Sequence, residues 1–206
     1  MMALTLYSNP MSRGRIARWM LEETGADYDV VPVQWGAKDP AFLAANPMGK
    51  VPTIVHDGVI VTECAAICAY LADAFPGAGL APPVAERGAY YRALFFAAGP
   101  LEQAVTSRAM GWEITDPQKQ GMLGFGNYDR TIDTLEGLVT AAGDGWLAAD
   151  HFTAADLYVG AHLSWGLQFG SIPKRDAYTA FVDRVTSREA AVRAAAKDDA
   201  MMAEAA

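Results

Sequence analysis

Asn46-Pro47-Met48-Gly49-Lys50-Val51-Pro52-Thr53-Ile54, running on through Asp57-Gly58 to Val61-Thr62-Glu63-Cys64-Ala65-Ala66-Ile67, is the stretch on which the fold turns. A Pro- and Gly-containing turn delivers Lys50 and then an X-Pro bond at the start of a strand, Val51 to His56. Asp57-Gly58 joins that strand to another, Val59 to Val61, and this dipeptide is a strong tight-hairpin signal. From Glu63 to Phe75 the apolar residues Cys64, Cys68, Leu71 and Phe75 fall at i, i+4, i+7 and i+11, one stripe of a helix. Upstream, residues 3 to 7 read as a buried strand, a Ser-Asn-Pro turn follows, and Arg13 to Thr24 carries a helical pattern stopped by Gly25. Tyr28 to Val33 reads as a strand and Pro40 to Ala45 as a short helical turn. The predicted order is β-α-β-α-β-β-α.

Pro76 to Pro83 holds two glycines and three prolines, the composition of a connector. The expected division is a domain at 1–77, a linker at 78–87 and a second domain at 88–206. In the second domain Ala-rich segments with helical periodicity dominate: Val84 to Met110, with a kink or break at Pro100, then Gln118 to Ala142, Ala154 to Gly170, Asp176 to Val185 and Ser187 to Ala200. It should be all helical. Thr153-Ala154-Ala155-Asp156 fits a capping box, with Phe152 placed to staple onto Leu157.

With 206 residues, 52% hydrophobic and 19% charged, the chain can bury a real core and is not disordered. A net charge of -8 repels a nucleic-acid backbone, and no basic patch offsets it, so no nucleic-acid partner is expected. No apolar run of about 20 residues and no N-terminal signal pattern is present, so no membrane association and a cytoplasmic location are expected. Cys64 and Cys68 lie four apart in an apolar helical stretch without a His partner, which supports neither a disulfide framework nor a metal site.

Three places can carry chemistry. Val51, before a proline that cannot donate to a ladder, has backbone groups free to pair with an extended peptide ligand at a sheet edge; by composition alone a plain turn is the simpler reading. Glu63 puts a carboxylate at a helix start, where backbone N–H groups can take an anion and the carboxylate a cation, although complementing the helix dipole would account for it. The turn Tyr7-Ser8-Asn9-Pro10-Met11-Ser12-Arg13-Gly14-Arg15 offers hydroxyls beside another helix start. Ser12 fits as an N-cap there, and a hydroxyl with helix N–H groups would also stabilise a bound thiolate.

Together these stretches resemble the cytosolic glutathione transferase family, in particular its bacterial, serine-type members. The likeness covers essentially the whole chain and rests on Asn46 to Pro52, Glu63 at a helix start, and Phe152-Thr153-Ala-Ala-Asp156-Leu157 in the family's order. It implies a thioredoxin-like N-terminal domain, an all-helical C-terminal domain, glutathione as co-substrate and a homodimer. By the resemblance Val51 pairs with the cysteinyl part of glutathione, with Pro52 cis. Glu63 takes the γ-glutamyl ammonium, the Cys64 N–H its carboxylate, and Lys50 the glycyl carboxylate. Many relatives carry Ser where this chain has Cys64, so a hydroxyl contact is missing while the backbone contact survives. Ser12 matches the activating hydroxyl of the serine-type classes, with Tyr7 as the alternative and Ser8 or Asn9 as helpers. The electrophile pocket is expected between the domains, with Tyr90, Phe95, Arg108, Trp112, Trp165 and Phe169 as candidate walls. The implied activity is conjugation of glutathione to small hydrophobic electrophiles, a detoxification chemistry. The alternatives are a binding protein with little turnover and a glutathione-dependent isomerase or dehalogenase.

Overall fold

The computed structural model describes residues 3–204. Four strands, β1 (Leu4–Ser8), β2 (Asp29–Pro32), β3 (Thr53–His56) and β4 (Val59–Thr62), form one sheet in the order β2-β1-β3-β4. β1 and β2 run parallel, joined by the crossover helix α1 (Gly14–Thr24), while β1–β3 and β3–β4 are antiparallel. α2 (Pro40–Ala45) precedes β3 and α3 (Cys64–Ala74) follows β4, so the predicted β-α-β-α-β-β-α order holds. This is a thioredoxin-like arrangement.

Alternation along β1 sets the layers. Leu6 and Ser8 are buried on one face, and Ser8 lies against Gly14 of α1. Tyr7 points the other way, its ring 5.4 Å from that of Phe42 on α2. At the β3–β4 turn Asp57 and Gly58 both take positive φ, 47° and 83°, as a two-residue hairpin of primed type requires. β3 starts at Thr53 and not at the expected Val51, because Pro52 has no N–H to give to a ladder.

The chain divides at Ala81–Pro82 and again at Thr186–Ser187 into two units. The second division separates the last helix, α10 (Glu189–Glu204), from the helical segment with which the sequence groups it. α10 packs on α1. Arg18 donates to Asp198 at 2.8 Å with both side chains almost wholly buried. Arg188 grips the Glu23 carboxylate with two bonds of 2.7 and 2.8 Å. Lys197 and Arg193 both reach Glu22, and Arg15 pairs with Asp199 at 2.6 Å.

The other unit contains α4 (Gly88–Phe96), α5 (Glu102–Ala109), α6 (Pro117–Gln120), α7 (Tyr128–Ala142), α8 (Ala154–Phe169) and α9 (Asp176–Thr186). Its core includes Leu94, Leu101, Ile132, Leu135, Leu157, Tyr178 and Phe181. Pro100 does interrupt the first of its long helices: Ala97–Leu101 is a π-helical turn between α4 and α5. The continuous helix expected from Gln118 does not form. Gly121, Gly124 and Gly126 break it, and Asn127 caps a fresh start by accepting the Arg130 N–H at 2.9 Å. The capping box at α8 is present, Asp156 accepting from the Thr153 N–H at 2.9 Å and also from the Leu147 N–H at 2.7 Å. Phe152 meets Trp146 edge-on, their centroids 5.3 Å apart.

No helix among the described residues is long and apolar enough to cross a membrane.

Candidate active site

The strand register collects the candidate residues at one end of the sheet. Tyr7 pairs with Thr53, and Thr53 with Thr62. The last residue of β1 and those that follow it (Ser8 to Arg13), those that precede β3 (Val51 and Pro52) and the one that follows β4 (Glu63) therefore share that end.

The turn after β1 is held from within. Asn9 donates to the Val33 carbonyl at 2.9 Å and accepts from the Met11 N–H at 2.8 Å. The Ser12 hydroxyl donates to the Asn9 carbonyl at 2.6 Å and accepts from the Gly14 N–H at 2.9 Å. Arg13, not Ser12, occupies the N-cap position, since α1 begins at Gly14; the Ser12 hydroxyl still satisfies one orphan helix N–H. Gly14 is needed for close approach. A Cβ there would stand 2.0 Å from the Ser8 Oγ and 3.0 Å from the Ser12 Oγ. The Ser8 hydroxyl is itself fully buried and has no hydrogen-bond partner among the described residues.

The loop before β3 is organised by Asn46, which is 4% exposed. Its amide donates to the Lys50 carbonyl at 2.9 Å and to the Thr53 hydroxyl at 3.0 Å, and its oxygen accepts from the Met48 N–H at 3.1 Å. The Val51–Pro52 peptide is cis. Val51 is not on an edge strand, as the sequence suggests: it leads into β3, which has β1 and β4 on either side. Its N–H and C=O make no hydrogen bond among the described residues, because the ladder begins only at Thr53. Lys50 is exposed and forms no ion pair among the described residues.

Glu63 has φ 63° and ψ 116°, a conformation that costs a non-glycine residue about 1–3 kcal/mol. Its carboxylate is exposed and has no partner among the described residues. Cys64 opens α3, and its thiol reaches the Arg13 carbonyl at 3.7 Å, tying this helix start to the Ser12 turn. The Cys68 thiol is pushed well above the ordinary thiol range by its hydrogen bond with Cys64 and then by burial. These cysteines are free.

The unit built on the sheet thus brings together Ser12, Val51, Pro52, Glu63 and Cys64, with Lys50 at the loop surface. Tyr7 is half-buried against Phe42, on the sheet face opposite Ser8. Sequence reasoning missed Asn46 as the tie of its loop, although an Asn ahead of Pro-X-Gly is the available signal. It also passed over the burial of Ser8, which follows only from Gly14 and not from any local pattern.

Of the six candidate electrophile contacts, two line one cavity of about 480 Å³ in the helical unit: Arg108 and Phe169. Trp165 packs on Phe169 with centroids 4.6 Å apart. Phe95 and Trp112 are exposed, and Tyr90 is a core side chain, 1% exposed.

The model of the glutathione S-transferase N-terminal domain matches residues 2–73. Glutathione S-transferase GST-4.5 of Xanthomonas campestris is 32% identical over 165 residues, 77% of this chain and 79% of that protein. The chain belongs to the glutathione S-transferase family. Three other curated relatives align over shorter stretches, and the chain spans 32%, 37% and 35% of their length. Among solved structures, a glutathione transferase from Methylococcus capsulatus superposes with a TM-score of 0.78 at 28% identity, covering 96% of this chain and 99% of that one. A sphingomonad glutathione S-transferase complexed with glutathione gives 0.73 at 27% identity, covering 95% and 98%. The family's fold, a thioredoxin-like sheet unit followed in sequence by helices, is the one described above.

Proposed function

We propose that this family member is a glutathione transferase that binds glutathione at the described end of the sheet, holds it as thiolate and conjugates it to small hydrophobic electrophiles. The observation that carries this reading is the convergence, through the Tyr7–Thr53–Thr62 register, of an unpaired backbone segment at Val51, an unpaired carboxylate at Glu63 and a hydroxyl turn at Ser12. Such an end fits a tripeptide with a cationic amine, anionic carboxylates and a thiol. Val51 pairs with its cysteinyl backbone, and Pro52 shapes that approach. Glu63 takes the ammonium, and the Cys64 N–H, one of the orphan donors of α3, takes the neighbouring carboxylate. Lys50 meets the glycyl carboxylate. The structural division at Ala81–Pro82 supports a helical second domain that begins after the sheet unit, with Arg108, Trp112, Trp165, Phe169 and Phe95 as the side chains from which the electrophile contacts are drawn, Tyr90 being taken up by the core.

Activation has a modest energetic requirement. A thiol with pKa about 8.5 is only ~3% ionised at pH 7, and lowering it two units takes ~2.7 kcal/mol. One charge-assisted hydrogen bond of ~1.5–3 kcal/mol with a helix N-terminus of ~0.3–1 supplies that. Ser12 is the proposed donor, with Tyr7 the alternative. To donate a hydrogen bond to the thiolate sulfur the Ser12 hydroxyl turns away from the Asn9 carbonyl. The thiolate then attacks the electrophile carbon, forming a C–S bond as the leaving group departs with its electron pair. The protein is further proposed to act in the cytoplasm as a homodimer with a detoxification role.

The test is the thiolate absorbance of bound glutathione against pH. In Ser12→Ala the bound thiol pKa should rise by about one to two units and turnover of an aryl halide near pH 7 should fall about tenfold or more, with glutathione affinity changed less. A normal thiolate in Ser12→Ala with a lost one in Tyr7→Phe would move the role to Tyr7. Unchanged thiolate in both, with no turnover in the parent protein, would leave a binding protein.

A further inference from the structure

The Lys50–Val51 peptide closes the loop before β3, and the direction in which it faces is decided by two buried side chains. The Asn46 amide donates one hydrogen to the Lys50 carbonyl at 2.9 Å and the other to the Thr53 hydroxyl at 3.0 Å. The Thr53 hydroxyl in turn donates to the same Lys50 carbonyl at 3.1 Å. Three groups thus form a closed ring, and both lone pairs of that carbonyl are taken. Asn46 is 4% exposed and Thr53 is 0% exposed, which keeps water from competing for these bonds.

Both side chains are themselves held. The Asn46 amide oxygen accepts from the Met48 N–H at 3.1 Å, which settles which way round the amide sits. Its backbone N–H donates to the Phe42 carbonyl and its carbonyl accepts from the Gly49 N–H, each at 2.8 Å. Thr53 is in register with Tyr7 on β1 and Thr62 on β4, inside the sheet. The Lys50–Val51 bond is trans, since Val51–Pro52 is the one cis bond among the described residues. In a planar trans peptide the C=O and the following N–H point in opposite directions. With the Lys50 carbonyl drawn toward Asn46 and Thr53, the Val51 N–H is therefore turned to the other side, where it makes no hydrogen bond among the described residues.

We infer that Asn46 and Thr53 are positioning residues: by holding the Lys50 carbonyl they aim the Val51 N–H as a preset donor for the main chain of bound glutathione. The inference rests on the glutathione site proposed above and adds the two residues that orient its backbone contact. Both are too buried to meet a ligand themselves, so they act only through this peptide. A donor held in place spares the complex the cost of ordering it on binding. Once the ring is broken, the Lys50–Val51 plane can turn about its flanking φ and ψ, and the N–H no longer has one direction.

The experiment is amide hydrogen exchange by NMR on the isotope-labelled full chain, free and saturated with S-methylglutathione, with affinities from calorimetry. In the parent protein the Val51 and Cys64 amides should both exchange at least about tenfold more slowly once the ligand is bound. Thr53→Val and Asn46→Ala should each weaken binding about three- to tenfold and lose the slowing at Val51 while keeping it at Cys64. Thr53→Ser, which retains the hydroxyl, should behave as the parent. Thr53→Val keeps a β-branched side chain suited to a strand, so it decides the matter if Asn46→Ala does not fold. Parent affinity with full slowing at Val51 in Thr53→Val would overturn the inference. So would loss of the slowing at Cys64 together with Val51, which would mean that the whole end of the sheet had collapsed. If the parent protein does not bind S-methylglutathione, the glutathione reading itself fails and this inference with it.

Discussion

At the position of Glu63 two properties coincide that substitution can separate: a positive φ and a carboxylate without a partner. Glu63→Gln keeps the backbone and removes the charge, so glutathione affinity should drop about ten- to a hundredfold, the equivalent of ~1.5–3 kcal/mol, with the melting temperature unchanged. Glu63→Gly should lose the same affinity yet gain up to about 1 kcal/mol of stability, because glycine adopts φ 63° without the steric cost. Calorimetry with thermal unfolding checks both; full affinity in Glu63→Gln would remove Glu63 from the site. A second residue-scale test concerns Ser8 and Gly14. Gly14→Ala should destabilise by about 1–3 kcal/mol through overpacking, and Ser8→Ala in the same chain should return part of it by removing the oxygen 2.0 Å from the new Cβ. Urea unfolding of the four species measures the coupling, and strict additivity would mean that the two side chains do not meet. Glu63 was legible as a helix opener because an acidic residue there follows a strand directly. Its unusual φ was not, since nothing in a Thr-Glu-Cys sequence announces it.

Among the elements, the hairpin and α3 were plain because their signals are local: Asp57-Gly58 and a four-residue stripe. The partner of the last helix was hidden. Its attachment to α1 depends on charge pairs 165 to 184 residues apart, and an Ala-rich amphipathic segment does not say which surface it will cover. That attachment has a pH signature. Burial alone would raise the Glu22 carboxyl, but Lys197, Tyr28 and Arg193 outweigh it and hold the group below its ordinary value of 4.5. Its contribution is therefore complete above that value and is lost as pH falls through the lower folded one. Asp198 acts in the opposite sense, burial raising it despite Arg18, so its own contribution shrinks as pH rises. Glu22→Gln should flatten the acid side of the stability curve while leaving the Asp198 component. Melting temperatures from pH 7 to pH 3 compare the two proteins, and an identical pH slope would show that the Glu22 pairs add nothing to the α1–α10 contact.

For the molecule as a whole, the sequence made two classes of unit readable, one strand-rich and one helical, because period 2 and period 3.6 separate cleanly along this chain. The membership of α10 was beyond such periodicity. Exposed Val59 and Ile60 on β4, and Tyr91 on α4, are apolar side chains that the proposed homodimer would cover. Sedimentation at micromolar concentration should show a species of twice the 22.0 kDa chain mass; a 22.0 kDa species alone would defeat the dimer. The return of α10 to α1 also sets an order of events during synthesis. Glu23 is made 165 residues before Arg188, a delay of roughly ten to thirty seconds at ~5–20 residues per second. Through that interval the nascent sheet carries α1 with Arg18, Glu22 and Glu23 still open to water. A ribosome that stalls, or a message cut short, anywhere ahead of the codon for Ser187 would release a strand-complete but unsealed N-terminal unit, a natural substrate for chaperones and proteases.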